Sequence, residues 1–351
     1  MRGQPVIQLV THLQAASAFV VALTLAGVLV LFPRASSAQA APLTIVVPWA
    51  SGGGTDKAAR VIADLLAREL AQPVRVENRT GNNGVTGHQS IADATPDGLT
   101  IGIATFEITT LHTLGLTPLR YTDYTVLSPG FVNVPGVHVK ADSPYKTLND
   151  LLEAVKKQPG KLKSSGSGLG SSWHLSMVGL LRDRGLPVDA VEWVPSQGSD
   201  PALKSLQAGE IDFTTNGIGE SRALFESGKV RTLAHLFFTP LIGPFITVPT
   251  LQQAVGSSFN MYSWGMVVAP KNLQPAVQMQ LTTALRRVYL SSEYKARISE
   301  LGLLLLPYEP PAKLGESLYA EDYRNTRILT ALGLAKSPPN FSKPVLNAFK
   351  P

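Results

Sequence analysis

Residues 43–70 read LTIVVPWASGGGTDKAARVIADLLAREL. The stretch begins with an apolar run of strand character, Leu43 to Pro48, and then passes through a turn that contains three glycines. The pattern then predicts a helix from about Thr55 to Leu70, because its leucines and isoleucine recur on one face. A strand that leads through a glycine turn into an amphipathic helix is typical of an α/β sheet, in which ligands bind at this end of the strands.

The rest of the chain continues the alternation of strands and helices. Short apolar runs predict strands at Val74–Glu77, Thr100–Ala104, Ile211–Thr215 and Arg231–Leu236. Helical periodicity predicts helices at Thr147–Lys157, Leu175–Arg184 and Gln274–Leu290. The spacing of Thr147 and Asp150 is that of a capping box, with Asp in place of Glu or Gln. This alternation predicts mainly parallel sheets with helices on both faces.

Bulk composition favours a globular, exported protein of about two domains. The chain has 351 residues, with 44% apolar and 16% charged residues and no cysteine. Disulfides, thiolate metal sites and a cysteine nucleophile are therefore excluded. The net charge of +6 is too small and too dispersed to indicate nucleic-acid binding, and no run of basic and aromatic residues is present.

The first forty residues have the features of an export signal. Arg2 provides the positive start, residues 15–32 are nearly continuously apolar, and Ala38-Gln39-Ala40 is a small-x-small cleavage site. Residues 1–40 are therefore predicted to be a cleaved signal peptide of a periplasmic protein. The apolar run exceeds the usual ~7–15 residues, so an uncleaved membrane anchor stays open as the alternative. No second long apolar run follows.

The glycine turn at residues 49–56 is the first candidate site. Three glycines allow a ligand to approach the backbone closely, and the helix that follows directs free N–H groups and a partial positive charge at the same point. The turn lacks the Gly-Lys-Ser/Thr of a nucleotide P-loop and the glycine spacing of a dinucleotide site. The expected ligand is an anion. The alternative is a tight turn with no binding role, in which Thr55 or Asp56 caps the helix.

Two further turns have the same character. Residues 164–172 read SSGSGLGSS and precede a helix, so that hydroxyls and glycines form an array of donors, although such a sequence alone also occurs in linkers. Residues 196–201 read SQGSDP, where Pro201 suits the first turn of a helix and Ser199 is its predicted cap. Several such turns facing one cleft would grip a carboxylate from both sides.

A series of motifs along the chain resembles the receptors of tripartite tricarboxylate transporters, also called Bug solute-binding proteins. The motifs follow the family's order over essentially the whole chain after the leader. They are VVPWASGGGTDKAAR (46–60), VRVENRTGNNG (74–84), PDGLTIGIAT (96–105), GLGSSWHL (168–175), VPSQGSDPAL (194–203), VPTL (248–251) and WGMVVAP (264–270).

The resemblance implies a two-lobed periplasmic-binding-protein fold of type II, with parallel-rich sheets and two crossover segments between the lobes. One lobe would comprise residues 42–137 and 263–351, and the other residues 138–262. It also implies a monomeric receptor without cofactor or metal, which captures a small organic carboxylate and delivers it to the permease subunits of a tripartite tricarboxylate transporter.

The resemblance further implies the ligand-binding residues. Backbone amides and hydroxyls of two clamps would hold the carboxylate, and two side residues would close the site. The first clamp comprises Ser51, Gly52, Gly53, Thr55 and Asp56; the second comprises Ser167, Gly168, Gly170, Ser171 and His174; the side residues are Thr105 and Ser199.

Three of the predicted positions leave questions open. Trp49 either walls the cleft and stacks on a flat ligand or belongs to the core. His174 either orients the carboxylate or lies behind the site. Asn216 stands where many relatives carry an Asp suited to an ammonium group, which makes an amino-acid ligand less expected. The family's pattern does not distinguish dicarboxylates, tricarboxylates and aromatic acids.

Catalysis has little support in the sequence. The histidines show no metal-ligand spacing, and neither a GxSxG elbow nor a pair of acidic residues with general acid–base spacing is present. We therefore predict no catalytic residue and no enzyme activity. The rival interpretations are an exported α/β hydrolase or transferase acting on a small carboxylate, and an orphan receptor that feeds a sensor.

Overall fold

The structure is a computed structural model that describes residues 41–336. The predicted signal peptide, residues 1–40, and the last fifteen residues of the predicted first lobe lie outside the described residues. Within the described range, no helix is long and apolar enough to cross a membrane.

Two five-stranded sheets form the centres of two lobes. The first sheet has the strand order β2-β1-β3-β10-β4. Its strands are β1 (Leu43–Val47), β2 (Val74–Asn78), β3 (Thr100–Thr105), β4 (Tyr124–Asn133) and β10 (Ser263–Pro270). The second sheet has the order β7-β6-β8-β5-β9. Its strands are β5 (Gly136–Lys140), β6 (Leu162–Ser165), β7 (Val191–Trp193), β8 (Phe213–Thr214) and β9 (Val230–His235).

Ten α-helices accompany these strands in the described range, and three of them follow the last strand. Those of the first lobe are α1 (Gly54–Leu70), α2 (Val85–Ala92), α8 (Pro275–Leu290), α9 (Ser292–Glu300) and α10 (Pro311–Ala331). Those of the second lobe are α3 (Leu148–Lys157), α4 (Ser172–Asp183), α5 (Ser199–Ala208), α6 (Ile218–Glu226) and α7 (Leu251–Val255).

Each sheet contains one reversed strand. In the first sheet β10 runs antiparallel to β3 and β4, while β1 is parallel to β2 and β3. In the second sheet β5 runs antiparallel to β8 and β9, while β6 is parallel to β7 and β8. The reversed strand in each case is the first one after the chain crosses between sheets. The predicted parallel-rich, two-lobed α/β fold is thus confirmed.

Helices cover both faces of the first sheet. Ile45 and Val47 of β1 point into a core shared with α1, α8 and α9. Val46, between them, points into a different core with α2 and α10. Because successive side chains of a strand alternate between faces, this split requires a helix layer on each side of the sheet. β1 is accordingly buried along its whole length rather than at alternate residues.

Most of the predicted elements form close to their predicted bounds. The capping box of α3 is present, with the Thr147 hydroxyl accepting from the Asp150 N–H at 3.2 Å. Two details differ. The strand predicted at Ile211–Thr215 shortens to Phe213–Thr214. The predicted cap, Ser199, is instead the first residue of α5, and Gly198 is the cap, because the Ser199 hydroxyl is engaged elsewhere.

Candidate functional site

A cleft between the two sheets collects residues from both lobes and encloses about 520 Å³ of space, its open mouth included. It lies at the carboxyl ends of the strands and the starts of α1, α4 and α5. The lining residues are Trp49, Ala50, Gly53, Gly54, Thr55, Thr105, Glu107, Phe131, Asn133, Ser167, Ser172, Trp173, Gly198, Ser199, Asp200, Glu220, Ser263 and Trp264.

The first glycine turn is held in shape from behind by Asp56. Its carboxylate accepts hydrogen bonds from the Gly52 N–H at 2.9 Å, from Asn78 Nδ2 at 2.9 Å and from Arg60 at 2.9 and 3.0 Å. Burial opposes ionisation of Asp56, but these hydrogen bonds outweigh it and lower the pKa of the carboxyl. Gly52 adopts a φ of +87°, which a glycine accommodates without strain.

A chain of hydrogen bonds crosses the cleft from Trp49 to α4. Trp49 Nε1 donates to the Thr105 hydroxyl at 3.1 Å, and that hydroxyl donates to Glu107 Oε2 at 2.6 Å. Glu107 Oε1 accepts from both the backbone N–H and the hydroxyl of Ser172, at 3.2 and 3.0 Å. A carboxylate of the first lobe therefore accepts a hydrogen bond from the first backbone N–H of α4, in the second lobe.

Glu220, at the start of α6, makes the reciprocal contact. Its Oε1 accepts from the Gly54 N–H of α1 at 3.2 Å, and its Oε2 accepts from the Ser199 hydroxyl at 2.5 Å and the Gly217 N–H at 2.9 Å. Desolvation raises the pKa of Glu220, although these hydrogen bonds oppose the rise. One carboxylate thus joins the starts of α1 and α5, which lie in different lobes.

The second glycine turn is braced by its own side chains. The Ser167 and Ser171 hydroxyls lie 2.5 Å apart, and the Gly170 N–H donates to His174 Nδ1 at 3.1 Å. Burial lowers the pKa of His174 to about 4, so that its ring is neutral at physiological pH and can accept that bond. The ring also packs edge-on against Trp193, with centroids 5.0 Å apart.

The structure brings some of the predicted site residues together and places others behind them. Those that line the cleft are Trp49, Gly53, Thr55, Thr105, Ser167 and Ser199. Those that belong to the two turns or lie behind them without lining the cleft are Ser51, Gly52, Asp56, Gly168, Gly170, Ser171 and His174. Asn216 does not line the cleft either, and its buried side-chain amide has no hydrogen-bond partner among the described residues. Trp49 was predicted either to wall the cleft or to belong to the core, and it does both. It lines the cleft and also packs against the apolar core between β1 and α1.

Sequence reasoning missed several cleft residues, Glu107 and Glu220 above all. Glu107 lies two residues after β3 and Glu220 six residues after β8, so both come from the carboxyl ends of strands. That position is the signal by which they could have been found, because ligands of parallel sheets bind at this edge. Asn133, Ser172 and Trp173 also line the cleft. Asn133 ends β4, and the other two begin α4.

Two helix starts facing the cleft retain backbone donors. The first three N–H groups of an α-helix have no partner within the helix. At α1 and α4, the first of these groups serves Glu220 and Glu107. For the second group, on Thr55 and Trp173, the described residues provide no acceptor. No group of three or more acidic, histidine or cysteine side chains suited to a metal occurs between residues 41 and 336.

The chain is similar to known receptors in sequence and structure. The sequence profile of the tripartite tricarboxylate transporter family receptors matches residues 58–334. A UPF0065 protein of Pseudomonas sp. strain P51 is 31% identical over 267 residues, which cover 75% of this chain and 78% of that protein.

Two solved structures superpose on most of the chain. The periplasmic binding protein BugD is 25% identical with a TM-score of 0.76, covering 84% of this chain and 99% of BugD. The R. palustris protein Rpa4515, solved with adipate, is 28% identical with a TM-score of 0.76, covering 84% of this chain and 98% of that one. With its two lobes and the cleft between them, this chain belongs to the tripartite tricarboxylate transporter family of receptors, which are binding proteins and not enzymes.

Proposed function

We propose that this chain captures a small organic carboxylate in the cleft between its lobes and delivers it to the membrane subunits of a tripartite tricarboxylate transporter. The observation that carries the proposal is the convergence of α1, α4 and α5, whose first residues all line one cleft. Backbone N–H groups at helix starts bind anions well, because unpaired donors and the helix dipole act together.

The protein's own glutamates support this reading. Glu220 accepts from the start of α1, the start of α5 and the Gly217 N–H, at 2.5–3.2 Å. Glu107 accepts from the start of α4. The donors of the cleft are therefore spaced to fit a carboxylate. Thr55 and Trp173 offer the second donors of α1 and α4, so a ligand carboxylate has unused N–H groups to bind.

The proposal includes the predicted site residues. Trp49, Gly53, Thr55, Thr105, Ser167 and Ser199 contact the ligand or its bridging waters, whereas the supporting residues of the two turns fix the direction of the donors. The adipate of the R. palustris relative is a ligand of the proposed class. Because relatives of similar structure are periplasmic binding proteins, we place this receptor in the periplasm, as a monomer, after removal of residues 1–40.

Binding is coupled to a hinge motion in this proposal. Lobe boundaries at residues 42–137 with 263–351, and 138–262, leave two connections between the lobes. Ligand contacts from both lobes stabilise the form in which the lobes meet. That form presents a single surface, made of both lobes, to the permease.

A thermal-shift panel of mono-, di-, tricarboxylic and aromatic acids tests the function. A ligand that binds only the folded protein raises its stability in proportion to the logarithm of ligand concentration. We expect at least one acid to raise the melting temperature and to be recovered unchanged. Turnover of a panel member, abolished by Ser171→Ala, would instead support the rival exported hydrolase or transferase. Absence of a shift with every acid would contradict the proposal.

A further inference from the structure

The first lobe contains a second cavity, separate from the cleft. It lies between the strands β4 and β10, the chain that leads into α10, and the first half of α10, and it encloses about 270 Å³. An apolar cavity of roughly 150 Å³ holds a benzene ring, so this one has room for an aromatic ring and a short chain. Phe131 and Trp264 line the cleft as well, and these two rings therefore stand between the two cavities.

Aromatic rings form much of the wall of this second cavity. The rings of Phe131, Tyr262, Trp264 and Tyr289 line it, and leucine, proline and methionine side chains complete the apolar part of the lining. The negative faces of aromatic rings attract ammonium groups, most strongly in the case of tryptophan. Such walls suit a ligand with an apolar body, and they favour a positive over a negative charge on that ligand.

The charged side chains of the lining are both acidic. They are Glu309 and Glu321, and the described lining contains no lysine, arginine or histidine. Glu309 forms no ion pair with any residue between 41 and 336. Glu321 accepts from Trp264 Nε1 at 2.5 Å and pairs with Arg324 at 3.1 Å. Because the Arg324 side chain is mostly exposed, water screens that ion pair and its contribution is small. The negative charge of the cavity is therefore only partly compensated.

An independent observation concerns Tyr262, whose ring lies in the wall. Burial raises the pKa of its phenol, and the charges of Glu321 and Glu309 raise it further, whereas Arg324 opposes the rise. Both carboxylates thus act on one side chain of the cavity, so they lie close enough to act together on a ligand. Burial likewise raises the pKa of Glu321, although the bonds from Trp264 and Arg324 oppose this. A cation in the cavity would stabilise the ionised form of both carboxylates.

We propose that this cavity is a second binding site, for a small hydrophobic amine whose apolar body packs among the aromatic rings while its ammonium group pairs with Glu309 and Glu321. A carboxylate would meet two like charges here and, within the described lining, no basic side chain. The cavity and the cleft therefore take ligands of different charge. Since Trp264 lines both, its indole contacts the occupant of either site.

Three small molecules of related shape test the chemistry in the purified protein. Phenethylamine carries a ring and, at pH 7, an ammonium group; 2-phenylethanol has a hydroxyl in place of the amine; ethylamine lacks the ring. Titration calorimetry should show one site for phenethylamine, with an affinity at least about tenfold higher than that of either other molecule. Equal binding of 2-phenylethanol would overturn selection by charge, and absence of phenethylamine binding up to about 5 mM would overturn the site.

Two variants test the carboxylates. Glu309→Gln and Glu321→Gln keep the side-chain size and an acceptor oxygen but remove the charge, so each should weaken phenethylamine binding by about threefold or more. Glu316→Gln is the matched control, because Glu316 is exposed on the same helix as Glu321 without lining the cavity, and it should leave the affinity unchanged. Unchanged affinity in both variants of the lining would overturn the pairing with these carboxylates.

A blocking variant tests the location. Ser317 lines the cavity but is itself exposed, so Ser317→Trp should fill the opening and abolish phenethylamine binding without lowering the melting temperature. Ser317→Ala, which adds no bulk, should bind phenethylamine as the parent protein does. Phenethylamine binding that persists in Ser317→Trp would place the amine elsewhere and overturn the assignment of this cavity.

Discussion

The two glycine turns of the cleft have similar sequences but are held in different ways. The turn before α1 is braced within its own lobe, by hydrogen bonds from Gly52, Asn78 and Arg60 to Asp56. The turn before α4 also depends on the other lobe. Asn83 Nδ2 of the first lobe donates to the Leu169 carbonyl at 3.1 Å, and Leu114 packs against Gly170.

This difference separates a fixed half of the site from a conditional half. In the first turn the hydrogen bonds to Asp56 form within one lobe, and of the donors described here only the Gly54 N–H reaches across, to Glu220 of the second lobe. The second turn gains contacts only when the lobes meet, so its geometry and lobe contact stabilise each other. A receptor built in this way presents one preformed group of donors and completes the other on closing. The predictions below test that division.

Acid should produce the largest effect, and it should act on both halves. Behind the first turn, buried His88 accepts from the Thr105 N–H at 3.2 Å, as His174 accepts from Gly170 behind the second. Burial lowers the pKa of both histidines from 6.5 to about 4. The unfolded chain therefore binds more protons, and stability that is complete above pH 6.5 is lost as the pH falls toward 4. The contribution of each histidine should lower the free energy of unfolding by on the order of 2–3 kcal/mol between pH 6.5 and pH 4.5.

Chemical denaturation at a series of pH values measures this loss. His88→Gln and His174→Gln remove the titrating group, so each variant should show a shallower decline between pH 6.5 and 4.5 than the parent protein. Protonation of Asp56 does not interfere, because its pKa lies below that window. A variant whose unfolding free energy declines as steeply as that of the parent protein would show that the ring it lacks is not held neutral.

Removal of Asp56 should be the next largest effect and should affect the preformed half. Asp56→Ala leaves the Gly52 N–H and the Asn78 amide without their acceptor, which should lower the free energy of unfolding by about 1–3 kcal/mol. Asp200→Ala is the matched control, since Asp200 forms an ion pair of the same i,i+4 spacing but is exposed. Its loss should be about 0.3–0.5 kcal/mol. Equal losses in urea unfolding would contradict the bracing role of Asp56.

The sequence predicted contiguous elements better than contacts between distant residues, and the reasons are physical. β1, the glycine turn and α1 are contiguous, so apolar runs and glycines alone indicate them. β4 escaped prediction because Pro129 and Gly130 interrupt it, and the structure accommodates them where its pairing with β10 shifts register. Glu107 and Glu220 escaped because their partners lie 65 and 166 residues away. Their position after a strand marks them as candidates, but no local pattern encodes the contacts that they make across the cleft.

A smaller effect should distinguish contact between the lobes from local backbone strain. Gly170 and Gly160 both adopt a φ of +75°, so an alanine at either position costs roughly 1–2 kcal/mol. A Cβ at Gly170 would also lie 2.6 Å from Leu114, whereas nothing lies within 4 Å of a Cβ at Gly160. Gly170→Ala should therefore destabilise the protein more than Gly160→Ala. Leu114→Ala should remove the excess in the double variant, and equal losses in the two single variants would refute contact across the cleft.

The smallest effect on stability is expected in the preformed turn itself, at Gly53. Its backbone, at φ −72° and ψ 171°, is extended and suits any residue, and an added Cβ would meet only the Ala50 carbonyl, at 3.5 Å. Gly53→Ala should therefore change the free energy of unfolding by less than about 0.5 kcal/mol. At the neighbouring Gly54, a Cβ would lie 3.1 Å from both Glu220 and Asn133. Gly54→Ala should thus disturb the hydrogen bond between the Gly54 N–H and Glu220. Gly53→Ala leaves that bond in place, so any loss of affinity in this variant comes from obstruction of the ligand at the turn. A loss of ligand affinity in Gly53→Ala without loss of stability would place the ligand against this backbone, and unchanged affinity would remove Gly53 from the site.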